Sequence, residues 1–206
     1  AWNYQHPGVR EIAKLMVPRT LTLAVSQVES TVAIFLTTLL VEGSVSLFYL
    51  AQTLMNVPIG LFGAPIGQAA LPSLAQSVAK NDLEEYKRNF LFSFFQTMYL
   101  VLPLTAILLI LRIPAVRIAY GVRGFLWTET IETGKTLALF SVAIIAQSMI
   151  QIIIRGFYAL HNTKTPLFIS LFSVFINVAV SLITVFKFGW GIRGLAVAAS
   201  VAAVRP

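Results

Sequence analysis

Apolar residues fall into long runs separated by short polar connectors along the whole chain. A helix needs about 20 consecutive apolar residues to cross a bilayer. On that measure the chain predicts five full spans, at about Val17–Leu40, Leu47–Val78, Phe90–Leu111, Thr136–Leu160 and Pro166–Phe186. A sixth run begins near Gly191 and stops at Pro206, too short to cross. The prediction is an all-α, polytopic transmembrane helix bundle occupying residues 1–206 as one domain. Residue 1 is Ala and the sixth run is cut off, so further chain is expected at both ends.

The connectors carry local signals. Asn81-Asp82 precedes Leu83-Glu84-Glu85, which reads as a helix start with acids in its first turn. Thr165-Pro166 reads as a cap followed by Pro at the first helical position. The stretch from Arg112 to Thr128, with Pro114, Arg117, Tyr120, Arg123 and Trp127, reads as a loop or short interfacial helix. Eight Lys or Arg fall on the N-terminal side of the predicted spans and six on the other, which favours a cytoplasmic N-terminus.

Polar residues within the spans recur at helical spacing and mark the faces that meet protein or a wet cavity. In the first span Thr22, Ser26, Glu29, Ala33 and Thr37 share a face, Ser30 joins it and Gln27 lies beside it. Glu29 stands near mid-span, where a carboxylate is costly in lipid. It serves either to hold helices together or to act in transport through substrate contact or proton coupling. The second span has Gln52, Asn56, Gly60, Gly63 and Gly67 at steps of 4, 4, 3 and 4, with Thr53 beside them. It is interrupted by Pro58, Pro65 and Pro72, each of which withholds a backbone donor. Pro58, Gly60, Gly63 and Pro65 are the hinge candidates; the alternative is a bent structural helix packed through Gly. The fourth span aligns Gln147, Gln151 and Arg155, with Arg155 near the end where it can snorkel. The fifth aligns Ser170, Ser173, Asn177, Ser181 and Thr184. The third, rich in Phe, reads as apolar nearly all round and lipid-facing.

Composition narrows the chemistry. Hydrophobic residues make up 57% of the 206 and charged residues 11%, which excludes a soluble globular domain. Cysteine is absent, so no disulfide or thiolate chemistry is available within it. The net charge of +7 sits in the connectors, as expected for contact with anionic membrane lipids, and no nucleic-acid partner is implied. His6 and His161 lie in connectors away from any metal-spaced acid cluster. No phosphate-binding loop, nucleophile elbow or zinc-protease motif occurs. No enzyme, cofactor or metal is predicted.

Three segments resemble one family. Pro58-Ile59-Gly60-Leu61-Phe62-Gly63 followed by Leu71-Pro72-Ser73-Leu74 looks like the second span of the C-terminal lobe in the MurJ (MviN) lipid II flippases. Arg155-Gly156-Phe157-Tyr158-Ala159-Leu160, then Asn162-Thr163-Lys164-Thr165-Pro166, is similar to a connector of that family, and Ala24-Val25-Ser26-Gln27-Val28 to the start of its seventh span. The resemblance implies one lobe of a two-lobe exporter fold, with spans seven to eleven and part of twelve present and the N-terminal lobe missing. It implies alternating-access transfer of the undecaprenyl-diphosphate-linked peptidoglycan precursor (lipid II) across the bacterial cytoplasmic membrane. Related polysaccharide-lipid or drug exporters, and a non-transporting scaffold for cell-wall enzymes, are the alternatives. The family often has Asp-Arg where this chain has Gln52-Thr53, so the expected diphosphate contact is in doubt there. A sodium site in some members corresponds to Ala33, Asn177 and Ser181, where only the Asn is kept, so no such site is expected. Cavity-lining candidates carried forward are Ser26, Gln27, Glu29, Gln52, Thr53, Asn56, Gln151, Arg155, Asn177 and Ser181.

Overall fold

A computed structural model describes residues 7–38, 43–121, 125–183, 196–197 and 200. Within the first helix, the side chains of residues 7–15, 18, 19, 26 and 29 lie outside the description. The described residues form α1 (Pro7–Thr38), α2 (Ser44–Pro58), a π-helical turn (Ile59–Gly63), α3 (Ala64–Ala79), α4 (Leu83–Ile110), α5 (Arg112–Tyr120), α6 (Trp127–Ala159) and α7 (Lys164–Leu182). The π turn joins α2 and α3 into one continuous span, so five helical segments are long and apolar enough to cross a membrane. The expected sixth span lies outside the described residues apart from Ala196, Val197 and Ser200.

The helices overrun the apolar runs. At 1.5 Å per residue the 33-residue α6 is about 50 Å long, against about 30 Å of hydrocarbon. Its first turns, with Glu129, Glu132 and Lys135, therefore project beyond the hydrocarbon. Glu129 accepts a hydrogen bond from the Leu126 N–H at 2.8 Å, which fixes the start of α6 eight residues or so before its apolar run begins.

α6 is the axis of the bundle: α2, the π turn, α3, α4 and α5 all pack against it. Leu137, Phe140, Ala143, Ile144, Ser148 and Ile152 are fully buried along it. Around it gather Leu36 of α1, Phe48, Ala51 and Met55 of α2, Val101 of α4 and Val116 of α5. α1 lies along α7. Ala196 joins the central core, and the Ser200 hydroxyl donates to the Leu139 carbonyl at 2.7 Å, which ties the last described residues to α6.

Small polar residues make the seams. Ser93, Thr97 and Thr105 are the buried face of α4, while Phe92, Phe95 and Tyr99 point outward. This corrects the expectation of a helix apolar all round. The hydroxyls of Ser93 and Thr97 return to carbonyls one turn back, at 3.0 and 2.9 Å, which hides their polarity and leaves a narrow surface for close packing.

Two connectors share one design. Asn81 lies just past the end of α3 and His161 just past the end of α6, both left-handed at φ 56. The following residue, Asp82 or Asn162, donates its N–H to a carbonyl five residues back, closing the helix end. The same residue then starts the next helix: Asp82 accepts from Glu85 N–H at 2.8 Å and Asn162 from Thr165 N–H at 3.2 Å. The Asp82 start is as expected from the sequence. The Thr165-Pro166 start is not, because α7 already begins at Lys164 with Thr163 flanking it. Asn162, not Thr165, supplies the capping oxygen, and Pro166 sits in the first turn, where no intrahelical acceptor awaits its missing N–H.

Candidate functional site

The α2–π–α3 span is the most irregular of the described elements and carries a shallow recess. Ala64 N–H donates to the Ile59 carbonyl five residues back, the signature of the π turn. Pro58 and Pro65 flank it, and neither can donate to the carbonyl four residues earlier. A shallow concavity of about 390 Å³ opens on the outward side of this stretch, lined by Thr53, Asn56, Val57, Gly60 and Leu61. Thr53 returns its hydroxyl to the Tyr49 carbonyl at 2.8 Å, leaving Asn56 as the amide exposed at the recess.

The π turn divides the stripe that the sequence placed on one face. Gln52 is half-buried, Asn56 and Gly60 are exposed, and Gly63 and Gly67 are buried against α6. A Cβ on Gly60 would meet nothing within 4 Å. A Cβ on Gly63 would lie 3.0 Å from the Ser148 Cα, and one on Gly67 would lie 3.1 Å from the Gln151 carbonyl oxygen. The wider turn rotates everything after it relative to a 3.6-residue period, so Gly63 and Gly67 face inward while Gly60 faces out. The Gly residues thus serve two ends: Gly60 keeps the recess open and Gly63 and Gly67 let α6 approach closely.

The other candidates disperse. Gln27 is exposed on α1, as is Ser30; the described members of the α1 stripe that turn toward protein are Thr22, Ala33 and Thr37. The side chains of Ser26 and Glu29 lie outside the described residues. Gln147, Gln151 and Arg155 are half-buried on α6 and do not line the recess. Asn177 and Ser181 are 7% and 3% exposed, and the Ser181 hydroxyl donates to Asn177 Oδ1 at 3.2 Å. They form part of the buried face of α7 and are not open to the recess; Thr184 lies outside the described residues. Among the described residues no three His, Asp or Glu side chains gather where a metal could bind.

Gly156, part of the Arg155–Leu160 connector motif, has a packing role that the motif does not show. A Cβ there would come within 2.9 Å of the Phe90 ring and 3.1 Å of the Tyr86 hydroxyl. Phe90 stacks between Tyr86 and Phe94, at centroid distances of 6.3 and 6.2 Å, so the Gly is the floor on which an aromatic ladder of α4 rests. No period in the sequence signals this contact, since the partners are more than 60 residues apart.

A family profile described as "Lipid II flippase MurJ" matches residues 1–205. The chain belongs to the lipid II flippase MurJ family. It is 28% identical over 199 residues to the probable lipid II flippase MurJ of Bdellovibrio bacteriovorus, covering 96% of this chain and 38% of that protein. To the protein of the same description in Thermotoga maritima it is 27% identical over 194 residues, covering 94% and 40%. The chain thus spans about two fifths of the length of these relatives. The fold is similar to that of a lipid II flippase MurJ in an inward closed conformation, with TM-score 0.83 and 23% identity over all of this chain and 43% of that one. It is also similar to an outward-facing multidrug resistance MATE family transporter of the MOP superfamily, with TM-score 0.77 and 17% identity over 94% and 42%. The chain of this MurJ family member is a multi-pass membrane protein with the fold shared by these transporters.

Proposed function

We infer that this chain is the C-terminal lobe of a flippase that carries the undecaprenyl-diphosphate-linked peptidoglycan precursor across the bacterial cytoplasmic membrane. The observation that carries this reading is the family match over residues 1–205. The lobe completes its transport path with an N-terminal lobe of the same protein, and the recess at Thr53, Asn56 and Gly60 faces that path. Support for the placement is its outward opening beside the least regular backbone of the span. Backbone irregularity at membrane depth is tolerated where it lines a cavity.

Translocation moves the precursor without making or breaking a covalent bond. Pro58, Gly60, Gly63 and Pro65 bracket the π turn, and this segment is the flexing element as the lobes alternate. Glu29, the one acid near the middle of a span, couples proton uptake or precursor contact to that motion. Thr53, at the position where the family resemblance implies Arg, meets the precursor without a charge, so cationic contacts to the diphosphate come from elsewhere in the full protein.

The test is complementation. The full-length protein is expressed in cells depleted of their own lipid II flippase, and precursor in the outer leaflet is read by cleavage with an outside-acting enzyme. Restored cleavage is expected. A membrane-inserted protein that restores none would overturn the reading in favour of another lipid-linked cargo or a scaffold.

A further inference from the structure

We propose that α5 is a bilayer-seated helix whose outer strip, Leu111, Pro114 and Ile118, inserts at the boundary between phospholipid headgroups and acyl chains, with Arg117 at the phosphates.

The depth of α5 follows from its packing. Ile113 lies beside Gly134, where an added Cβ would meet its Cδ1 at 2.6 Å, and Arg117 Nη1 donates to Thr130 Oγ1 at 3.4 Å. Thr130 and Gly134 belong to the polar first turns of α6, among Glu129, Glu132 and Lys135. That part of α6 overruns the hydrocarbon, so α5 is held at the level of the headgroups. The Tyr120 hydroxyl donates to the Leu50 carbonyl of α2 at 3.1 Å and pins the other end of α5 to the bundle.

The faces of α5 are sorted accordingly. Val116 is fully buried in the central core. On the opposite side Ile118 is 88% exposed, and Leu111 and Pro114 are exposed with it. An outward apolar strip on a nine-residue helix has no reason to face water. It continues the exposed row of α4, Phe92, Phe95, Tyr99 and Ile107, through Ile110, which is 76% exposed. That row lies opposite the buried Ser93–Thr97–Thr105 face of α4, on the side of the span left for lipid. The lipid-facing surface therefore runs up α4 and turns outward along α5.

The charges suit phosphate. α5 carries Arg112 and Arg117 and no acid. Arg117 is steadied by the Phe125 carbonyl at 3.1 Å and by the Trp127 ring at 5.5 Å. Basic residues beside an indole at the end of a span are the arrangement that anchors proteins at headgroup level. The nearby Glu132 is paired with Lys135 at 3.2 Å, and Glu129 is engaged by the Leu126 backbone.

The experiment places a spin label at Ile118→Cys in the full-length protein, with cysteines elsewhere in it replaced, in phosphatidylglycerol-containing proteoliposomes. Labels at Phe95→Cys and Glu84→Cys give mid-bilayer and aqueous references. Collisions with oxygen, which concentrates in lipid, are compared with collisions with a water-soluble nickel chelate. The expected result is an Ile118 label with oxygen in excess over nickel and a depth between the two references. The double variant with Arg117→Gln should shift that label toward the aqueous value. A label as open to nickel as the Glu84 reference would overturn the proposal, with α5 lying in water. A label shielded from both reagents would overturn it too, with protein covering the strip. A depth unchanged by Arg117→Gln would remove Arg117 from the anchor.

Discussion

Gly60 and Gly63 lie three residues apart in one π turn and should respond oppositely to a single methyl group. Carbon atoms pack favourably at about 3.5–4.0 Å. At Gly63 the new Cβ would stand 3.0 Å from the Ser148 Cα and 3.1 Å from its Cβ, so one side must retreat by a few tenths of an ångström. A backbone Cα cannot rotate aside, and Ser148 is fully buried with its hydroxyl on the Ile144 carbonyl at 2.8 Å. α6 is also packed by α2, α3 and α4 around its circumference and has nowhere to move. Overpacking of this kind costs about 1–3 kcal/mol, partly offset by about 1 kcal/mol of helix propensity gained on replacing Gly. At Gly60 nothing lies within 4 Å, and only the propensity gain applies. The two variants should therefore differ by about 1–3 kcal/mol. For a lobe of about this size that melts as its own unit, that is a separation of about 2–12 °C in unfolding midpoint. Thermal unfolding of Gly60→Ala and Gly63→Ala in the full-length protein, reconstituted in the same nanodiscs, reads the difference directly. A Gly63→Ala protein that melts with or above Gly60→Ala would refute the inward rotation of Gly63.

Other outcomes follow from single contacts. Gly156→Ala should lower the unfolding midpoint by driving into the Phe90 ring, and adding Phe90→Leu should recover part of the loss; two independent losses that sum would argue against the contact. Asp82→Ala removes the acceptor for Glu85 N–H and should cost about 0.5–2 kcal/mol, seen as earlier hydrogen exchange at the start of α4, while Asp82→Asn should be close to neutral. Asn177→Ala breaks the buried pair with Ser181 and should destabilise by about 1–3 kcal/mol in the same melting assay. Glu29→Gln should lower precursor translocation in the complementation assay or flatten its dependence on pH; unchanged transport and unchanged pH dependence would sink the coupling role.

The five spans were legible because lipid demands long apolar runs, and that demand is written residue by residue. Their ends were not, since helix continuation into water is set by caps such as Glu129 on the Leu126 N–H, which are local and invisible to a hydropathy pattern. The prolines told where the second span is irregular. They could not tell that the irregularity is a π turn, and so the stripe from Gln52 to Gly67 was drawn with the wrong period. Asn56 and Gly60 line the recess, Gln52 is half-buried beside it in sequence only, and Gly63 and Gly67 lie against α6. The role of Ser93 and Thr97 was hidden inside a Phe-rich run, where the large residues dominate the pattern but the small ones make the seam. Asn177 and Ser181 were correctly placed on one face, and the structure shows that this face is buried.

The central position of α6 has a consequence for how the chain is built. Its partners α2, α3, α4 and α5 all precede it in the sequence. As the chain is synthesised, these elements enter the bilayer while the hydroxyl seam of α4 and the inward glycines of the π turn have no surface to close on. Among the described residues the main earlier contact is between α3 and α4, linked by Asn89 Nδ2 on Ser77 Oγ at 3.1 Å, with Tyr120 of α5 on the Leu50 carbonyl of α2 at 3.1 Å. Insertion of residues 127–159 is the event that converts a row of loosely associated helices into a lobe. A chain arrested before residue 127 therefore lacks the helix on which α2, α3, α4 and α5 all pack.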